Sequence, residues 1–194
     1  MEKRVFIVHG WNGTPNDAWF PWLANAAGKN GMHAMALFMP NPREPYIDDW
    51  VYHLNNSVKN PDSNTFFVGH SIGCQTILRY LSNLEINVKI GGVVLVAPWI
   101  HLNDAAFEDE EDVRIAQPWL DTPINWSRIK THTDKFEAIF SDNDPYVPIA
   151  DYKIFKEKLG ASIVIESGKG HFNADSKTLE IPRVLSALLE MAGE

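Results

Sequence analysis

A chain of 194 residues with 45% hydrophobic and 22% charged content is long enough for one core that buries roughly 70% of its unfolded surface, so residues 1–194 are expected to form a single domain. A net charge of -8 argues against nucleic acid and anionic membrane as partners, because phosphate binding needs a surplus of Lys and Arg on some face. The lone cysteine, Cys74, permits no intrachain disulfide, and the four-residue apolar run in "MEKRVFIVHGW" is too short for a signal peptide or a span; a cytoplasmic protein is the expectation.

Six short β-branched or aromatic runs alternate with longer amphipathic stretches. The strand candidates are 4–8, 33–38, 65–69, 92–97, 136–140 and 162–166, each mostly apolar on both faces as parallel strands covered by helices should be. Helix candidates fall at Trp19–Lys29, Ile47–Val58, Ile72–Leu84, Ala150–Leu159 and Leu179–Met191, where apolar residues recur at helical spacing. Right-handed crossovers wind such a chain into a doubly wound, mostly parallel six-stranded α/β sheet, here in the order 2-1-3-4-5-6 with helices on both faces. Segment 98–135, which holds "EDEED" at 108–112, is too long for a plain connection. It is expected to be a lid or an excursion over the sheet edge, with the acidic run as a solvated face.

At the end of the third strand stands Gly69-His70-Ser71-Ile72-Gly73. A strand ending at Gly69 and a helix beginning at Ile72 leave Ser71 on a sharp, strained turn that lifts its hydroxyl clear of the backbone. The flanking glycines remove side chains that would clash there. Ile72 N–H then lies at a helix N-terminus, ready to donate to an oxyanion.

A serine needs a base and an orienting acid. "SDNDPYVP" (141–148) follows the fifth strand and "SGKGHFN" (167–173) the sixth, which provides the chain order Ser, Asp, His expected on this kind of sheet. His171 is the base candidate. Asp142 and Asp144 both lie close to the strand end; Pro145 holds Asp144 in extended backbone, which favours Asp144 as the triad acid and leaves Asp142 to cap its turn. After the first strand, "VHGWNGTP" (8–15) meets the serine loop at the switch point. Trp11 N–H, in preference to that of Asn12, is the second oxyanion donor expected. Gly10, Asn12, His70 and Trp99 are placed around the substrate. No cofactor is expected, since the glycine spacing matches neither a dinucleotide fingerprint nor a P-loop, and no His has metal-ligand spacing.

"HGWNGTPNDAWFPWL", "MPNPREPYIDDW", "GHSIGC", "SDNDPYVP" and "GKGHFN" together resemble the small serine hydrolases of the YdeN and retinoblastoma-binding-protein-9 type, a compact branch of the α/β-hydrolases. The resemblance implies Ser71 as nucleophile, His171 as base, Asp144 as its partner and a sheet trimmed of the usual first strands. A retinoblastoma-type partner is not carried over, because the Leu-x-Cys-x-Glu peptide is missing around Cys74. The expected activity is cofactor-independent hydrolysis of esters, thioesters or amides of a small acyl substrate. A protein-interaction module on the same fold and a perhydrolase-like activity with the same triad are the alternatives.

Overall fold

The computed structural model describes residues 2–193. Its sheet has six strands, β1 (Lys3–Val8), β2 (Met32–Leu37), β3 (Thr65–His70), β4 (Gly92–Val96), β5 (Phe136–Ser141) and β6 (Ser162–Glu166), in the order β2-β1-β3-β4-β5-β6. Every neighbouring pair is parallel. The alternation of side chains along parallel strands sorts the core into two halves. Val5, Ile7, Phe66, Val68, Val94 and Val96 face α1 (Phe20–Lys29) and α7 (Pro182–Ala192). Phe6, Val8, Phe67, Val93 and Leu95 face α2 (Ile47–Ser57), α3 (Ile72–Asn83) and α6 (Tyr152–Leu159).

The central strands β3, β4 and β5 are buried throughout, whereas β2 and β6 keep exposed residues. Cover by helices on both faces is thus complete in the centre of the sheet and partial at the two edges, where each strand has a neighbour on one side only. The final helix starts at Pro182 rather than Leu179, because proline with its fixed φ and absent N–H belongs in a first turn. Gly160 and Gly193 end α6 and α7 in the left-handed conformation, which lacks a Cβ penalty for glycine.

Segment 98–135 carries two helices, α4 (Glu110–Asp121) and α5 (Trp126–Lys130). Asp109 caps α4 by accepting from Glu111 N–H and Asp112 N–H, so the acidic run is in part a helix start and not only a solvated face. Trp119 of α4 packs edge-on against Trp50 of α2 and donates from Nε1 to Pro45 O. Arg79 of α3, buried, donates to the carbonyls of Trp119 and Thr122. These carbonyls lie at the α4 C-terminus, where orphan acceptors favour a cation. Among the described residues, no helix is long and apolar enough to cross a membrane.

Candidate active site

Ser71 joins β3 to α3 with φ 53° and ψ -122°, a conformation costly for a residue with a Cβ. The turn is tolerated because two glycines admit close backbone. A Cβ on Gly69 would stand 2.8 Å from Cys74 N, and one on Gly73 only 2.4 Å from Val8 O. Ser71 N–H donates to Val96 O at 2.9 Å, tying the turn to the neighbouring strand β4. Gly10 lies against it as well, since a Cβ there would come within 3.3 Å of Ser71 Cβ; the loops after β1 and β3 meet where the strand order reverses.

His171 and Asp144 come from the loops after β6 and β5. His171 Nδ1–H donates to Asp144 Oδ2 at 2.8 Å, and Asp144 Oδ1 accepts from Tyr146 N–H and Val147 N–H. Both side chains are buried, 10% and 3% exposed, so the carboxylate is supported by three donors rather than by water. The Tyr146 ring stands edge-on to the imidazole, 5.0 Å between centroids. Ser71 Oγ makes no hydrogen bond to His171; the two residues line one cavity of about 310 Å³, together with Trp11, Ile72 and Trp99.

His70, beside the serine, is buried and donates Nε2–H to His171 O at 2.8 Å. Since a carbonyl only accepts, Nε2 carries the proton. Burial, reinforced by the nearby His171, pushes its pKa down to about 3, so the ring is neutral at physiological pH. His9 is also buried, and its pKa is lowered first by desolvation. Its Nε2 accepts from Met39 N–H, which leaves Nδ1–H to donate to Gly10 O at 2.8 Å. Gly13 N–H donates to the same carbonyl. With Gly10 O pinned on that side, the trans peptide turns Trp11 N–H the opposite way. Asn12 N–H is taken by Pro42 O at 2.8 Å, while Trp11 N–H has no acceptor among the described residues. Ile72 N–H opens α3, where the first N–H groups have no intrahelical acceptor either.

Gly10, Asn12, His70 and Trp99, expected around the substrate, all line the cavity. Trp99 is otherwise buried, with its carbonyl held by Gln75 Nε2 of α3. Sequence reasoning missed the walls that the excursion adds, Leu102, Ala105, Ala106, Glu108 and Asp112, and also Tyr146. The unusual length of 98–135 is the one sequence signal for the first five, whereas Tyr146 belongs to the loop after β5. Asp142 was expected to cap its own turn. Instead it reaches the histidine loop, accepting from Gly168 N–H at 2.8 Å and Ser167 Oγ–H at 2.7 Å; these bonds, the first above all, hold its carboxyl below the usual range. A second groove, of about 340 Å³ between residues 44–48 and α4, holds neither serine nor histidine. Among the described residues no group of three His, Cys, Asp or Glu is arranged to hold a metal ion.

A serine hydrolase family model matches residues 5–190. The chain is 28% identical over 188 residues to the hydrolase YdeN of Bacillus subtilis (strain 168), covering 97% of this chain and 95% of that protein. It is 23% identical to the serine hydrolase RBBP9 of Rattus norvegicus, covering 97% of each. The crystal structure of the B. subtilis ydeN product superposes with a TM-score of 0.90 at 27% identity, over 99% of this chain and 100% of that one. Est1E of Butyrivibrio proteoclasticus, solved with ferulic acid, shares the fold at a TM-score of 0.72 and 16% identity, over 98% and 90% of the two chains. The match along nearly the whole chain, together with the YdeN and RBBP9 likenesses, makes this protein a member of the serine hydrolase family.

Proposed function

We propose that the protein hydrolyses carboxylic esters, thioesters or amides of small acyl compounds through an acyl-enzyme on Ser71. The observation that carries this reading is the 2.8 Å bond between His171 and Asp144 on the rim of the cavity that also receives the strained serine. Ser71 Oγ attacks the carbonyl carbon while His171 Nε2 takes the hydroxyl proton. Asp144 keeps Nδ1 protonated, so Nε2 has the free lone pair, and stabilises the imidazolium that forms. The carbonyl oxygen becomes an oxyanion between Trp11 N–H and Ile72 N–H, two donors whose positions are fixed before the reaction. On collapse, His171 returns the proton to the leaving group. Water then repeats the sequence and releases the acid. No cofactor enters any step.

In this reading Leu102, Ala105 and Ala106 of the excursion form the apolar wall for the substrate, and 98–135 acts as a cap on one domain. The test is labelling by a fluorophosphonate probe beside turnover of p-nitrophenyl esters of increasing acyl length. Wild type should be labelled at Ser71, and Ser71→Ala should lose the label and about 10⁶-fold in kcat with an unchanged melt. Equal labelling of the alanine variant would refute the nucleophile.

A further inference from the structure

The loop that carries His171 is built from backbone that does not hold itself. Gly168, Gly170 and Phe172 all have positive φ, at 70°, 53° and 54°, so His171 sits between two left-handed residues, one of them a phenylalanine for which that region is strained. Such a run persists only where its surroundings over-determine it. Here the restraints come largely from outside the loop. Gly168 N–H donates to Asp142 Oδ1 at 2.8 Å, Lys169 N–H to Ser141 Oγ at 3.0 Å, and Gly170 N–H to Asn143 Oδ1 at 2.8 Å. Beyond the histidine, His171 O accepts from His70 and Phe172 O from Trp19 Nε1.

Three successive amide groups are thus caught by three successive side chains, Ser141, Asp142 and Asn143, that immediately precede Asp144. Asn143 is the centre of this clamp, because its Oδ1 accepts both from Gly170 N–H and from Ser141 Oγ–H at 2.8 Å, and Ser141 Oγ in turn receives Lys169 N–H. One four-residue stretch therefore sets both the imidazole, through Asp144, and the backbone from which the imidazole hangs. We infer that Asn143 is a positioning residue for His171, acting through Gly170 and Ser141 to keep the imidazole in register with Asp144; the kinetic part of this inference rests on the hydrolase reading above.

The test compares Asn143→Ala, which removes the acceptor, with Asn143→Asp, which keeps an oxygen able to accept both bonds, in the full chain. Two readouts are needed, ester turnover and the water-exchange rate of the His171 Nδ1 proton, followed by NMR on protein labelled at histidine nitrogen. Asn143 is exposed, so the alanine variant should fold. Its kcat should fall roughly tenfold, with KM changed by less than about twofold, as expected when a catalytic group is misplaced and binding is spared. The Nδ1 proton should exchange faster, and Asn143→Asp should recover both properties. Wild-type kcat and exchange in Asn143→Ala would overturn the inference, as would an equal loss in both variants that tracks a lowered melt. If wild type turns over no ester while the proton still loosens in Asn143→Ala, the clamp stands and the hydrolase reading fails. Normal turnover with an unaffected proton sinks only the clamp.

Discussion

The serine turn and the histidine loop both place a side chain on the same cavity through strained backbone, yet they are stabilised in opposite ways. At Ser71 the strain, φ 53°, is held by close backbone packing. Gly69 of β3 admits Cys74 of α3, Gly73 of α3 admits the backbone of Val8 and His9 at the end of β1, and Ser71 N–H is tied to Val96 O of β4. Around His171 the restraint arrives from Ser141, Asp142, Asn143, His70 and Trp19. A turn held by tight backbone packing should therefore fail as a packing defect, whereas a loop held by side-chain hydrogen bonds should fail as a loss of alignment.

The largest effect expected within this contrast is on chemistry. Asp144→Asn keeps the side-chain volume but frees the imidazole to adopt the wrong tautomer, and kcat should drop by roughly 10⁴ with the melt little changed. Steady-state kinetics beside thermal melting checks it; an active Asp144→Asn enzyme would remove Asp144 from the triad. Gly73→Ala attacks the other side of the comparison. Its Cβ would meet Val8 O at 2.4 Å and His9 O at 2.6 Å, both backbone atoms that cannot swing away, so denaturant titration should show a loss of about 4 kcal/mol, in the upper tail for single substitutions. A mild loss would mean that β1 can shift, and that close packing is not what holds the turn.

His70 links the two regions, and pH reads it out. Its folded pKa of about 3 lies below the unfolded value of about 6.5, so below pH 6.5 the unfolded chain binds a proton that the folded chain refuses. Stability from the neutral ring is complete above that value and falls as pH drops towards 3, by roughly 3 kcal/mol between pH 6.5 and pH 4. His70→Gln has no such proton to take up. Its stability should be flatter over that window in chemical denaturation, and parallel acid curves would show that His70 is not the group responsible.

The smallest expected effect is at Asp142. Its depressed carboxyl pKa means that the ionised form adds stability above the ordinary carboxylate range of about pH 4, lost as pH falls through the lower folded value. Asp142→Asn should therefore melt a little below wild type at pH 7, and the two should converge in acid. Because Gly168 lies three residues from His171, kcat should move less than in Asn143→Ala. A larger kinetic loss at Asp142 would shift the weight of the clamp towards Gly168.

Most of the architecture is legible in the sequence, for a physical reason visible in particular elements. Buried parallel strands such as 92–96 must be apolar on both faces, and a Gly-x-Ser-x-Gly turn between strand and helix has few other ways to fold. The observed strand order is the one expected, and the six strands begin and end within about two residues of their sequence positions, the usual uncertainty of such boundaries. Asp144 was separable from Asp142 because Pro145 acts on the residue just before it. The role of His9 as an organiser of the Gly10 carbonyl is not legible there, since its second partner, Met39 N–H, is thirty residues away. The clamp from Ser141–Asn143 was hidden likewise, as nothing in "SDND" shows that the acceptors point to another loop.

By itself, then, the sequence determined the alternation of strands and helices, the two-faced core and the strained serine turn, all governed by steric and hydrophobic rules that act over a few residues. The tertiary structure alone decided which backbone amides find Ser141, Asp142 and Asn143, which tautomer His9 and His70 adopt, and that α4 lends Asp112, and the stretch before it Ala105, Ala106 and Glu108, to the cavity wall. Those outcomes depend on groups brought together from distant parts of the chain, and a hydrogen bond of 2.8 Å has no signature in sequence spacing until the sheet has set the loops at its carboxyl edge side by side.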